Sequence, residues 1–424
     1  MKLTIIGGGS TYTPELIDGF IRYRSTLPIE ELWLYDPSAE RRRLVGGMAK
    51  RMFAAAGHPG SVHVTDDLDA AAADADTVLI QLRIGGQAAR HADETWPHEV
   101  CCIGQETTGP GGFAKALRTV PVVLDIADRI RAKAKKDAWI VDFTNPVGIV
   151  TRALLNAGHR AVGLCNVAIG FQRRFAATLG VPHENVRLSH VGLNHLTWER
   201  GVFVRGDDGA ERDVLPEMLD ESLDRLAHEV EMPASLLEMQ RAVPSYYLRY
   251  FYAHDAVLAE QKGAPTRAEA VMNVERDLLA KYADDSVVDK PEELMKRGGA
   301  FYSEAAVELI AGLVSGDGGT QVVNVRNDGI LPFLPDDHVI EVPATVSGAG
   351  LAALPVAPLP GDMAGLIGHV AGYERLALDA AIHGGRERVL RAMMAHPLVG
   401  QFDRAEKVTD LLIAENAPFL SWAS

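Results

Sequence analysis

Along the first 165 residues, short apolar runs alternate with longer stretches of mixed polarity. The runs are "KLTII" (2–6), "LWLY" (32–35), "SVHVT" (61–65), "TVLIQLRI" (77–84), "AWIVDF" (138–143) and "AVGLC" (161–165). Runs of that length, rich in β-branched residues and bounded by turn residues, predict strands. The stretches between them space their apolar residues as helices do, as in "PELIDGFIRYR" (14–24), the Ala-rich 69–76 and "TVPVVLDIADRIRAKAKK" (119–136). Strands alternating with helices predict a mainly parallel sheet covered on both faces: an α/β, Rossmann-like domain over residues 1–190.

Beyond about residue 195 the pattern changes. "FVRG" (203–206) followed by a Gly-Asp-Asp-Gly turn predicts a hairpin, and helical spacing then runs through 214–242, 244–262, 266–283 and 291–315. One strand-like piece, "HVIEVPATV" (338–346), precedes helices from 362 to 414. The expectation is a second, mixed α+β and largely helical domain over 191–424, with no internal repeat.

Composition narrows the function classes. The chain has 424 residues, 47% hydrophobic and 23% charged, as in ordinary soluble proteins. A net charge of −15 argues against a nucleic-acid or anionic-membrane binder, but leaves room for a small anion held by a few arginines. Three cysteines cannot build a disulfide framework, which points to a reducing cytoplasm. "MKLTIIGGGS" is too short for a secretory h-region, and no apolar run reaches the roughly 20 residues of a membrane span.

Gly7, Gly8, Gly9 and Ser10 lie where the first strand meets the first helix. Glycine there lets the backbone turn tightly and approach a pyrophosphate at the helix N-terminus. Asp36 closes the second strand, where a carboxylate accepts ribose hydroxyls and repels a 2′-phosphate, favouring NAD over NADP. Tyr12 takes the place of the third glycine of the usual motif. Farther on, Cys165-Asn166 and Asn194-His195 each follow an apolar strand-like piece. Cysteine and histidine can both donate to a borderline divalent ion and leave positions open for a substrate's oxygens; buried thiol and core histidine are the plainer readings. Glu106 in "QETTGPGGF", Asn145 in "TNPVG" and the tyrosines of "SYYLRYFY" (245–252) are equally compatible with capped turns and a half-buried aromatic face, and Arg83, Arg90 and Arg267 with plain surface.

Taken together, "GGGSTYTPEL", "QETTGPGGF", "TNPVGIVT", "GLCN", "GLNHL", "YLRYFY", "NDGILPFLP" and "HPLV" resemble, in order and spacing, the NAD- and metal-dependent glycoside hydrolases of family 4. The resemblance implies that Cys165 and His195 hold a divalent metal, usually Mn²⁺, and that Asn166 contacts the sugar beside it. It places Asn145 near the nicotinamide and sugar hydroxyls and Glu106 in a catalytic loop. Tyr247 becomes the base, and Arg90 and Arg267 the phosphate clamp. Cys followed by Asn resembles the branch that cleaves 6-phospho-β-glucosides, usually as homodimers or homotetramers. The implied chemistry is oxidation at C3 with NAD⁺, proton loss from C2, elimination of the aglycone, water addition and re-reduction, outside the paired-carboxylate scheme. Other readings are a family 4 enzyme for a different, possibly unphosphorylated sugar, a 2-hydroxyacid dehydrogenase, and a non-enzymatic NAD sensor.

Overall fold

The computed structural model describes residues 1–298, 301–316 and 318–423. Six strands form its first half: β1 (Lys2–Ile6), β2 (Glu31–Tyr35), β3 (Ser61–Thr65), β4 (Thr77–Ile80), β5 (Trp139–Asp142) and β6 (Ala161–Gly163). They pair in parallel in the order β3-β2-β1-β4-β5-β6, the doubly wound arrangement of dinucleotide-binding folds. Successive residues of β1 feed opposite cores. Leu3 and Ile5 join Leu16, Phe20 and Met48 on one face, and Ile6 joins Val78, Ile80 and Phe113 on the other.

The second half extends the same sheet. It contributes β7 (Val186–Leu193), β8 (Leu196–Arg205), β9 (Glu211–Asp213), β10 (Val243–Pro244), β11 (Thr320–Arg326), β12 (Val339–Ser347) and β13 (Gly350–Ala353). From β6 the order continues β11-β12-β7-β8-β10, all antiparallel, with β13 on β12 and β9 on β8. Residue 190, where the two halves are expected to divide, falls inside β7. The helix Tyr302–Ser315 returns to the first half's core, where Ala306, Leu309 and Ile310 meet Leu16, Ile17 and Phe20.

Several expected elements differ in extent. The strand read over 77–84 stops at Ile80, and the Leu82 N–H is satisfied by the Thr144 hydroxyl at 3.0 Å. The helix read over 214–242 is three: Leu215–Glu221, Leu223–Val230 and Ala234–Gln240. Pro233, with no N–H to donate and with Glu231 ahead of it at φ +53°, separates the last two. The stretch 244–262 opens with the 3₁₀ turn Tyr246–Leu248 before its helices Arg249–Tyr252 and His254–Gly263, because Pro244 is tied to β8. The stretch 291–315 begins as the 3₁₀ turn Glu292–Arg297. Strand β11, which the sequence pattern did not announce, is the join between the halves, with Asn324 opposite Gly163. Among the described residues no helix is long and apolar enough to cross a membrane.

Candidate active site

The turn after β1 is made by glycine for two reasons. Gly7 has φ +84°, and a Cβ on it would lie 2.5 Å from the Gln81 carbonyl oxygen. A Cβ on Gly9 would lie 2.5 Å from Asp36 Oδ2, the same oxygen that accepts the Gly9 N–H at 3.0 Å. Asp36 Oδ1 accepts the Ser38 N–H at 2.9 Å, so the carboxylate is braced from both sides while still half-exposed. The Gly7 and Gly8 N–H groups both donate to the Tyr35 carbonyl, and the chain then enters the helix Thr13–Arg22. This bare cradle at a helix N-terminus fits the pyrophosphate of a dinucleotide.

Beyond the carboxyl ends of the parallel strands lies a cavity of about 570 Å³. Ser10 follows β1, Asn145 follows β5 and Asn166 follows β6, and all three line it. Arg90, Glu106, His195, Tyr247 and Arg267 arrive from helices and loops to complete the wall. Gly7, Gly8, Gly9 and Asp36 stand outside the lining, and Cys165 lines a second cavity of about 340 Å³.

His195 occupies the tight turn between β7 and β8 with φ +63°, an unusual conformation for a side-chain-bearing residue. Its ring lies flat on Tyr247, centroids 3.7 Å apart and planes 5° from parallel. Burial pushes the imidazole down to about 4, with Glu341 and Glu106 opposing, so it stands neutral. Among the described residues its Nδ1 is buried with no hydrogen-bond partner, as are Asn194 Oδ1 and Asn145 Oδ1. Burial above all, then the charge of Glu341, pushes the Cys165 thiol up, against donors from the backbone of Val167 and Asn166 and from the Asn194 side chain. A neutral imidazole with an orphaned nitrogen, a thiol within reach of amide donors and two orphaned amide oxygens fit a borderline divalent cation. Among the described residues no group of three His, Cys, Asp or Glu is placed to hold a metal, so remaining positions would fall to oxygens from bound molecules.

Glu106 sits amid three cations. It is bound by Arg83, by Lys115 Nζ at 2.6 Å and by Arg90 Nη2 at 3.2 Å, while Arg90 Nε also donates to Glu94 at 2.7 Å. Against the upward push of burial, these cations hold the Glu106 carboxyl well below the usual range. Burial and the neighbouring Arg83 lower Lys115 to about 7. Arg267 is exposed on the cavity rim and donates to the Lys296 carbonyl at 3.0 Å.

The chain matches two family models over most of its length, "Family 4 glycosyl hydrolase" over residues 2–181 and "Family 4 glycosyl hydrolase C-terminal domain" over residues 190–399. This chain belongs to glycosyl hydrolase family 4. It is 38% identical to a Bacillus subtilis protein named Probable 6-phospho-beta-glucosidase, over 99% of this chain and 97% of the relative. It is 27% identical to the phospho-alpha-glucosidase PagL of Clostridium acetobutylicum, over 98% and 97%. The Thermotoga maritima 6-phospho-beta glucosidase, solved with manganese, NAD⁺ and glucose-6-phosphate, superposes with a TM-score of 0.91 at 33% identity, covering 99% of both chains.

Within this family 4 fold the cavity contains charged and aromatic groups that motif spacing passed over. Arg83, read as plain surface, binds Glu106. Lys115 is a single lysine among the buried Phe113, Ala114, Ala116 and Leu117, and a charge inside an apolar helical stripe was its available signal. Arg297 and Tyr302 also line the cavity. Arg297 donates to Thr11 Oγ1 at 2.7 Å and to Glu275 at 3.2 Å, and Tyr302 meets the ring of Tyr12 edge-on at 6.2 Å. Their sequence surroundings, "MKRGG" and "FYSE", carry no such mark.

Proposed function

We propose that this chain hydrolyses 6-phospho-β-glucosides, using NAD⁺ and a divalent metal such as Mn²⁺ as cofactors. The carrying observation is that Tyr247, stacked on His195, shares one cavity with Asn145, Asn166, Glu106, Arg90 and Arg267. The higher identity to a 6-phospho-beta-glucosidase than to a phospho-alpha-glucosidase supports the β-linkage.

When bound, NAD⁺ would accept and return a hydride at C3 and the metal would act as Lewis acid on the C2 and C3 oxygens, an effect worth several kcal/mol. Cys165 and His195 are the residues that would hold the metal. The glycine cradle, Ser10 and Asp36 would hold the dinucleotide. Tyr247 would take the C2 proton. Burial, then Cys165, Tyr250 and Glu106, push its phenol up, while the guanidinium of Arg90 favours the phenolate. Of its neighbours, Tyr246 gives its hydroxyl to Arg249 as acceptor at 2.8 Å and is 37% exposed, which leaves Tyr247 the better placed base. Asn145 and Asn166 would orient the sugar hydroxyls. Arg90 and Arg267 would bind the 6-phosphate through forked, charge-assisted hydrogen bonds. Glu106 would keep Arg83, Arg90 and Lys115 aligned at that end.

The wider assignment follows the same reading. Residues 1–190 form the NAD-binding part and 191–424 the substrate, metal and oligomerisation part of a cytoplasmic homodimer or homotetramer, with three free cysteines in keeping with a reducing compartment. The test is release of p-nitrophenol from its β-glucoside 6-phosphate under reducing conditions. Turnover is expected to require NAD⁺, Mn²⁺ and the phosphate, with no net NADH. Equal turnover of the unphosphorylated glycoside, or turnover independent of NAD⁺, would overturn the reading.

A further inference from the structure

Behind the cavity, four strands bring a charged chain of side chains into the core. His190 on β7 faces Glu199 on β8, its register partner, and the two join at 2.6 Å through Nδ1 and Oε1. The other imidazole nitrogen meets Glu341 Oε1 of β12 at 3.0 Å. Glu341 Oε2 accepts two amides, Asn194 Nδ2 at 2.8 Å and Asn324 Nδ2 at 2.9 Å. His190, Glu199 and Glu341 are each no more than 1% exposed. Burial opposes the charge on His190, yet Glu199 and Glu341 push it up to about 10, an imidazolium between two carboxyl groups.

One arm of this chain leaves the structural core. Asn194 follows β7 and precedes His195. Because a carboxylate accepts and never donates, the amide turns its NH₂ toward Glu341, and this bond holds the residue next to His195 at the tight turn between β7 and β8. Glu341 also acts electrostatically on both Cys165 and His195. The bonds to His190 and Asn324 suffice to stitch β12 to β7 and β11. The bond to Asn194 does something else, since it fixes the residue beside His195.

We propose that Glu341 is a positioning residue for cation binding: it grips the Asn194 amide and so fixes the turn that presents His195, and its negative charge favours a cation there. This inference rests on the reading of Cys165 and His195 as metal ligands. Partners outside the ligand set that orient ligands in this way change metal affinity by about 10–100-fold when removed.

The test uses the NAD⁺-loaded full chain. Mn²⁺ dissociation constants are measured by electron paramagnetic resonance, and Co²⁺ binding by the sulfur-to-cobalt charge-transfer band. Thermal melting and NAD⁺ affinity report on the fold. Glu341→Gln and Asn194→Ala are each expected to weaken Mn²⁺ about 10–100-fold with NAD⁺ affinity within about twofold of the parent. Cys165→Ser is expected to lose the charge-transfer band. A folded Glu341→Gln or Asn194→Ala variant that binds Mn²⁺ within twofold of the parent overturns the proposal. Should Glu341→Gln fail to fold, Asn194→Ala decides alone. An unaltered Co²⁺ spectrum in Cys165→Ser instead overturns the metal-ligand reading on which the proposal stands.

Discussion

Glu106 and Glu341 are both buried glutamates held below the usual carboxylate range against the push of burial, but by opposite means. Glu106 is outnumbered by the cations Arg83, Arg90 and Lys115. Glu341 shares one imidazolium with Glu199 and is otherwise held by neutral amides. Even counting Glu94 on Arg90, the cluster around Glu106 therefore carries excess positive charge, and the cluster around Glu341 behind the cavity excess negative charge. Buried charge of one sign is tolerated where a ligand of the other sign completes it. On the proposed function, the difference matches the two ends of the substrate complex: an anion such as a sugar phosphate at the Glu106 cluster, and a metal cation at Cys165 and His195 in front of Glu341.

The sharpest way to break this polarity is at the negative end. Cys165→Ser is expected to abolish manganese-dependent turnover, about 10³-fold or more, because several kcal/mol of Lewis-acid stabilisation go with the cation. Normal turnover in that variant would remove Cys165 from the site. Between the poles stands Tyr247. Tyr247→Phe is expected to cut exchange of the C2 proton with D₂O by about 10²–10⁴-fold, the usual span for general-base loss, while NAD⁺ still binds. Undiminished exchange would hand the base's role to Tyr250 or another group. At the positive end, Arg90→Met is expected to weaken glucose 6-phosphate by about 10–100-fold, the worth of a charged hydrogen bond, and to leave Mn²⁺ affinity unchanged by calorimetry. Loss of Mn²⁺ binding there would mean that the two poles are not separate.

A third buried carboxyl supplies the control, with the smallest expected effect on turnover. Asp142, at the end of β5, accepts from the Thr144 N–H at 2.9 Å and has no cationic partner among the described residues. Burial pushes it up from 3.8 to about 8. Its folded pKa exceeds its unfolded one, so its contribution to stability is complete below 3.8 and is lost as pH rises through about 8. Asp142→Asn is expected to flatten that decline in denaturant-measured stability between pH 5 and pH 8. A decline equal to the parent's would show that Asp142 does not hold its proton.

Much of the parallel-sheet half was legible from the chain. Every strand from β1 to β6 lies within or beside its apolar run: the central strands are buried on both faces and need near-continuous apolar residues, and the edge strand β3 is marked by its β-branched residues. The second half was harder to read. Thr320–Arg326 is a strand through its partners β6 and β12, and Pro233 divides a helical pattern that spacing alone ran together. In the site, Cys165, His195, Asn145 and Glu106 stood out as motifs. Arg83, Lys115 and Glu341 did not, because their importance lies in the partners that folding buries against them, nine residues away for Lys115 and 151 for Glu341. Asn194 is 147 residues from Glu341.

What this sequence determined by itself are properties set by neighbours a few residues away: strand and helix order, the glycine turn that admits a dinucleotide, and the kinds of donor atom available. Only the tertiary structure decided which tyrosine lies on His195, which cations surround Glu106, and that Glu341 reaches Asn194 beside His195. The physical reason is range. Backbone preference and apolar periodicity act locally, whereas the burial that shifts a pKa and the pairing that offsets it depend on strands brought together from opposite ends of the chain.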